Sequence, residues 1–253
     1  MNLPRLSLAG ALARALDPVK LCQTIGMEPD PWQAELLRSN ADRILVNCHR
    51  QSGKSLVAAL LAIHIALHES AALVLIMSPS ERQSRELFAK VLVIYRAAGR
   101  PVSADAENKL SLELENGSRI VCLPGKASTI RGFSAVRLLI IDEAAQVEDE
   151  LYSAVRPMLA VSNGRLIAMS TPWGKRGWWY FAWTSRERWL RFEVPATECP
   201  RISAEFLEEE RRTHGEWDYR QEYLCQFEDS ARSVFRGDDI DRIIREEVEA
   251  WTL

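Results

Sequence analysis

The passage from Arg43 to Glu69 constrains the chain most. An apolar run, Arg43 to Cys48, passes through His49-Arg50-Gln51-Ser52-Gly53-Lys54-Ser55 into a long helical pattern from Gly53 to Glu69. Strand, turn and helix in that order present backbone N–H groups at a helix N-terminus, where phosphate is favoured, and Lys54 adds positive charge aimed at the same oxygens. The turn keeps the Gly-Lys-Ser end of a P-loop, with Cys48 standing where the motif has its first glycine. Gln51, Ser52 and Gly53 then belong to the phosphate cradle, and the Ser55 hydroxyl can ligate Mg²⁺. The plain alternative is a helix start capped by Ser52 with an exposed lysine, and the element order argues against it. Arg50 is a further cation that can reach a γ-phosphate from the same subunit, against the alternative of a solvent-facing arginine. His49 has no evident role and reads as a packed or surface histidine.

Short apolar runs followed by helical patterns recur along the chain, which is what a mostly parallel sheet covered by helices produces. Ala72 to Ser78 is a strand and Ser80 to Ala98 a helix; Leu110 to Leu114 and Arg119 to Leu123 flank Asn116-Gly117 as a hairpin at a sheet edge. Val136 to Asp142 and Arg165 to Ser170 are nearly continuous apolar runs, as expected of central strands buried on both faces. From Ser203, a helix cap, the composition becomes charged and helical, and a second helix follows through Phe227. The expected fold is an α/β P-loop NTPase of the additional-strand type, with helices flanking the sheet and a small C-terminal helical lid. Residues 1–200 form the ATPase core, 201–229 the lid, and 230–253 an acidic linker.

A chain of 253 residues suits one large unit with a small appendage, and 47% hydrophobic with 26% charged residues argues against disorder, collagen-like repeats and a membrane span. Thirty-two basic against 35 acidic residues, a net charge of −3, exclude a uniformly basic nucleic-acid coat, so any DNA contact is a local patch. Five cysteines without a Cys-x-x-Cys pair argue against a disulfide framework or zinc site and for a reducing cytoplasm. The run from Leu6 to Leu16, broken by Arg14, is too short for a signal or spanning helix and predicts an amphipathic one.

The strand from Val136 ends in Asp142-Glu143-Ala144-Ala145, two carboxylates on the side where open α/β sheets bind ligands. Asp142 is placed to hold Mg²⁺, usually through water, and Glu143 to orient and deprotonate the water attacking a γ-phosphate. Alone, two adjacent acids mark a helix start; with Lys54 and Ser55 they mark nucleotide hydrolysis.

Four features in this order resemble one family, the ATPase domain of the large terminase subunits that package DNA in tailed bacteriophages. They are R-Q-S-G-K-S, I-I-D-E-A-A, M-S-T-P-W-G and Y-R-Q-E-Y-L-C-Q-F-E-D-S before S-V-F, within Trp32 to Phe235. The resemblance implies ATP and Mg²⁺ as cofactors and double-stranded DNA, a portal protein and a small terminase subunit as partners. It also implies a homo-oligomeric ring of five subunits in the bacterial host cytoplasm, away from membranes. It makes Ser170 and Thr171 part of a motif coupling hydrolysis to lid movement, against the alternative of a strand end stopped by Pro172, and Gln33 an adenine-recognition residue, for which a surface glutamine is the alternative. Arg131 falls where some members carry an arginine finger acting on the neighbour's ATP; a DNA-facing arginine is its main competitor. Members carry a C-terminal nuclease domain, but Asp238, Asp239 and Asp241 have no sheet to gather them, so no DNA cleavage is expected of this chain.

Candidate DNA contacts are Lys126, Arg131, Lys175, Arg176, Arg186, Arg188 and Arg191, with scattered solvated charge as the alternative for most. Trp178, Trp179 and Trp183 can stack on bases, but packing inside the fold suits them better. Two competing functions stay open: a helicase-like DNA-dependent ATPase, and a non-hydrolysing nucleotide-binding assembly module.

Overall fold

The computed structural model describes residues 8–125, 130 and 132–228. Its centre is an eight-stranded sheet built from β1 (Arg43–Cys48), β2 (Leu73–Ser78), β3 (Ala104–Glu107), β4 (Ser111–Leu114), β5 (Arg119–Pro124), β6 (Val136–Asp142), β7 (Arg165–Ser170) and β8 (Leu190–Val194), in the order β3-β4-β5-β2-β6-β7-β1-β8. From β5 to β8 every neighbouring pair is parallel; β3 and β4 join antiparallel. The six parallel strands therefore end on one edge.

Side chains alternate across this sheet and feed two cores. Val46, Val74, Ile76, Leu138, Ile140, Ile167 and Met169 face α4 (Lys54–His68) and α5 (Glu81–Ala97), and α2 (Pro18–Thr24) and α3 (Pro31–Arg38) extend that layer. Leu45, Leu75, Met77, Leu139, Ile141 and Ala168 form the other core with α6 (Asp149–Val155) and α7 (Gly177–Thr184). β2 and β7 are buried at every position because both faces are covered, which is why they are apolar runs without alternation. Each Leu or Ile so buried contributes about 1.5–3 kcal/mol of apolar transfer.

The strands at β1, β6 and β7 have the bounds that the sequence predicts. Three other expectations change. The β4–β5 hairpin exists, but β5 lies inside the sheet against β2, and β3 takes the edge. β8, which the reading of the runs passes over, pairs with β1 through Leu-Arg-Phe-Glu-Val, where charges interrupt the apolar pattern. The C-terminal helix α8 (Ala204–Tyr223) stops before Phe227 and is two arms joined at Gly215, whose φ of 83° and ψ of 166° break the helix. It rests on a small core of its own, Ala196, Leu207 and Tyr219.

α1 (Leu8–Leu16) is the amphipathic helix that the sequence predicts, with Leu8, Leu12 and Leu16 exposed. Trp178 and Trp179 are buried in the second core, Trp178 stacked on Tyr152 at 4.1 Å, so neither offers a face to a base. Arg191 is not available to DNA either: its guanidinium donates to the carbonyls of Ala182, Trp183, Ser185 and Trp189 around the end of α7. Arg176, Arg186 and Arg188 are exposed. Lys126 and Arg131 lie outside the described residues. The five cysteines are free and buried. Among the described residues no helix is long and apolar enough to cross a membrane.

Candidate nucleotide-binding site

β1, β7 and β6 are neighbours, so the turn after β1 and the acids after β6 face one another across the end of β7. The turn is braced from below by α3. Gln33 at the third helical position accepts from the Asp30 N–H at 3.0 Å, closing a capping box, and its Nε2 donates to the Ser52 carbonyl at 3.2 Å. Gly53 sits at φ 90°, left-handed backbone that favours glycine, and a Cβ there would lie 2.6 Å from Gln33 Nε2 and push the amide aside. Gln33 is 6% exposed with both ends of its amide engaged. This differs from an amide turned outward to a base edge: here it holds the loop.

The loop's upper half is tied to β8 and to the segment that ends α8. His49 is buried and donates its N–H to the Val194 carbonyl at 3.0 Å, while its ring contacts the Arg50 carbonyl; burial lowers the imidazole's pKa and keeps it neutral. The Arg50 N–H donates to the Glu222 carbonyl at 3.2 Å, and its Nε lies 2.5 Å from Glu222 Oε2. Burial raises the Glu222 carboxyl and Arg50 opposes that rise. Asn47 Nδ2 donates to the Cys225 carbonyl at 2.7 Å, and the Gly174 N–H to Gln221 Oε1 at 3.2 Å. Glu222, Gln221, Cys225 and Asn47 are contacts that sequence reasoning misses. The Y-R-Q-E-Y-L-C-Q signature marks the segment but carries no sign of what it touches.

Inside this frame, Lys54 is 8% exposed with Nζ 3.0 Å from Glu143 Oε1. Burial works against its charge, and neighbouring Cys48, Glu143 and Asp142 more than offset it, so its pKa is raised and the ammonium stays charged. Ser55 Oγ donates to Asp142 Oδ2 at 3.4 Å. Asp142 is pushed up to about 6, chiefly by burial, with Lys54 opposing and Glu143 adding to the rise. Among the described residues its Oδ1 finds no hydrogen bond although buried, and the same holds for the hydroxyl of Ser52.

Glu143 leaves the strand at φ 52° and ψ 46°, left-handed backbone that costs a non-glycine residue about 1–3 kcal/mol. Ser170, at the end of β7, accepts from the Ala145 N–H at 3.2 Å and so pins the turn that carries Glu143. Thr171 beside it is buried. Lys54, Ser55, Asp142, Glu143 and Ser170 thus meet at one edge.

A phosphate-binding strand separated from the acidic strand by one further strand, with Asp followed by Glu, defines a P-loop NTPase of the additional-strand class. Residues 49–242 match the family described as terminase large subunit, T4likevirus-type, N-terminal, and the chain belongs to that family. The large terminase subunit of Thermus virus P23-45 is 26% identical over 260 residues, covering 87% of this chain and 53% of its own length. The large terminase ATPase domain of Thermus phage P74-26 shares the fold with a TM-score of 0.72 and 23% identity, over 82% of this chain and 97% of that one. A large terminase from a thermophilic bacteriophage, in complex with ADP, matches at a TM-score of 0.62 and 12% identity, over 82% of this chain and 52% of that one. The chain spans about half the length of the curated relatives it matches.

Proposed function

We propose that this chain binds ATP with Mg²⁺ at the Lys54 turn and hydrolyses it, as the motor unit of a terminase large subunit driving double-stranded DNA into a procapsid. The observation that carries the reading is the Lys54–Glu143 contact at 3.0 Å beside buried Asp142. A triphosphate entering the turn takes over Lys54, whose ammonium pairs with β- and γ-oxygens, and this releases Glu143. The released carboxylate accepts a proton from the water that attacks the γ-phosphorus; the bond to the bridging oxygen breaks, and ADP and phosphate leave. The backbone around Gln51, Ser52 and Gly53 holds the phosphates, and Arg50 reaches them by leaving Glu222.

Ser55 would hold Mg²⁺ through its hydroxyl and Asp142 through water, and the ion would supply neutralising charge to the phosphate oxygens. The donors fit a hard, oxygen-seeking ion: a hydroxyl 3.4 Å from one carboxylate oxygen, and a second carboxylate oxygen buried without a hydrogen bond among the described residues. Ser170, fastened to the Glu143 turn, supports a coupling role for Ser170 and Thr171. The ADP complex of the thermophilic phage terminase supports a nucleotide here. Arg131 completes the site of a neighbouring subunit in a five-membered ring, docked on a portal with the small terminase subunit in the host cytoplasm.

Phosphate release from ATP tests the reading. Wild type hydrolyses ATP, and Glu143→Gln binds ATP but releases phosphate about 10²- to 10⁴-fold more slowly. Absence of hydrolysis by the assembled wild type would favour an assembly module that only binds nucleotide. Mixing Arg131→Ala with Glu143→Gln subunits restores activity if the arginine acts across the interface.

A further inference from the structure

Ser78, the last residue of β2, takes no part in the chemistry above. Its side chain is fully buried, and its hydroxyl has no hydrogen-bond partner among the described residues. Two other buried serines are satisfied by carbonyls: Ser84 donates to Leu123 at 2.9 Å and Ser118 to Glu69 at 2.6 Å. An orphaned buried hydroxyl is costly and calls for an explanation.

The register supplies one. Met77 pairs with Ile141 in the parallel β2–β6 ladder, so the next residues, Ser78 and Asp142, are side by side with side chains on the same face. That face is the one covered by α4, whose first turn carries Ser55, the partner of Asp142 Oδ2. Asp142 Oδ1 is the other orphan of this pair of strand ends, and the two do not bond each other. Ser78 is also held in place: the Gly125 N–H donates to its carbonyl at 2.7 Å, and Pro79 follows it.

We propose that Ser78 is a positioning residue for the metal at this site, accepting a hydrogen bond from a Mg²⁺-bound water that also donates to Asp142 Oδ1. A metal-bound water gives its lone pair to the ion and has two hydrogens to place; these two buried oxygens are acceptors on one wall. The proposal rests on the reading of the Asp142 site as a Mg·nucleotide site.

The test measures ADP affinity by calorimetry, with excess Mg²⁺ and in EDTA, for wild type, Ser78→Ala and Ser78→Thr. Loss of a partner outside the ligand shell weakens metal affinity about 10- to 100-fold, so Ser78→Ala weakens Mg·ADP binding about tenfold while ADP binding in EDTA stays within about twofold of wild type. Ser78→Thr keeps the hydroxyl and keeps the metal dependence, even if its added methyl lowers Tm. Ser78→Ala with wild-type metal dependence, or with equal loss in Mg²⁺ and EDTA, overturns the proposal. If wild type itself gains nothing from Mg²⁺, the metal part of the proposed site fails and Ser78's role fails with it, whereas absence of ADP binding in both conditions sinks the nucleotide site itself.

Discussion

The two edges of the parallel sheet handle buried polar groups in opposite ways. At the edge where the strands begin, charges are committed to the protein. Arg165, 9% exposed, donates to the carbonyls of Ser39 at 2.8 Å and Ala41 at 3.2 Å, and Arg137 meets both oxygens of Glu69 at 2.5 and 3.1 Å. Asn116 and Ser118 donate to the carbonyls of Ala66 and Glu69, leaving Arg14 Nε as the exception near this edge among the described residues. At the edge where the strands end, Asn47, His49, Ser52, Ser78 and Asp142 each keep a buried polar atom without a hydrogen bond to the described residues, and Glu143 sits in strained backbone. One edge is closed by contacts within the fold. The other gathers buried polar groups around the turn and the acids to which the proposal assigns the nucleotide.

The contrast is tested first where the effect is largest. Lys54→Met removes the cation that contacts Glu143; ATP affinity, measured by calorimetry, falls by about two orders of magnitude, the loss expected of charge-assisted bonds worth about 1.5–3 kcal/mol each. At the opposite edge, Arg165→Met leaves the Ser39 and Ala41 carbonyls without this donor. It costs about 2–4 kcal/mol in denaturant unfolding and leaves turnover per folded molecule unchanged. An equal loss of turnover and stability would erase the distinction between the edges.

A pH test follows from Asp142. Its carboxyl rises from 3.8 to about 6 in the folded, nucleotide-free protein, so the folded state holds the proton more tightly than the unfolded chain. Its share of stability is therefore present below pH 3.8 and lost as pH rises through 6, worth at most about 3 kcal/mol. Asp142→Asn removes this slope, so unfolding free energies of wild type and variant diverge as pH rises from about 4 to about 7; parallel curves would refute it. A smaller effect attends Ser170→Ala, which frees the Ala145 N–H: phosphate release slows about tenfold with ATP affinity unchanged. The smallest belongs to Glu69→Gln, whose ion pair with Arg137 is more than a third exposed on both sides; Tm falls by an amount worth less than about 1 kcal/mol.

Much of this edge is legible in the sequence because its parts are local. Strands β1, β6 and β7 are buried on both faces over most of their length and appear as nearly continuous apolar runs, and the turn and acids follow β1 and β6 directly. β3, with Ala-Asp-Ala-Glu, and β8, with Leu-Arg-Phe-Glu-Val, carry alternating charge on half-covered positions, and short strands of that kind leave little signal. Contacts across the chain are beyond its reach: Arg50 and Glu222 stand 172 positions apart. Arg191 reads as a free surface charge because the carbonyls it serves are orphaned by the end of α7, a demand that exists only once the helix is folded. Gln33 stands out in the sequence but faces inward, since its two amide ends match a cap and a loop carbonyl at once.

The Gln33 brace bears on where this polypeptide can be cut. A shortened version beginning at the first strand of the sheet would keep every residue of the phosphate cradle and lose the strut beneath Ser52 and Gly53. Anyone trimming the gene for expression must retain the stretch around Asp30, or obtain a soluble sheet with a slack mouth.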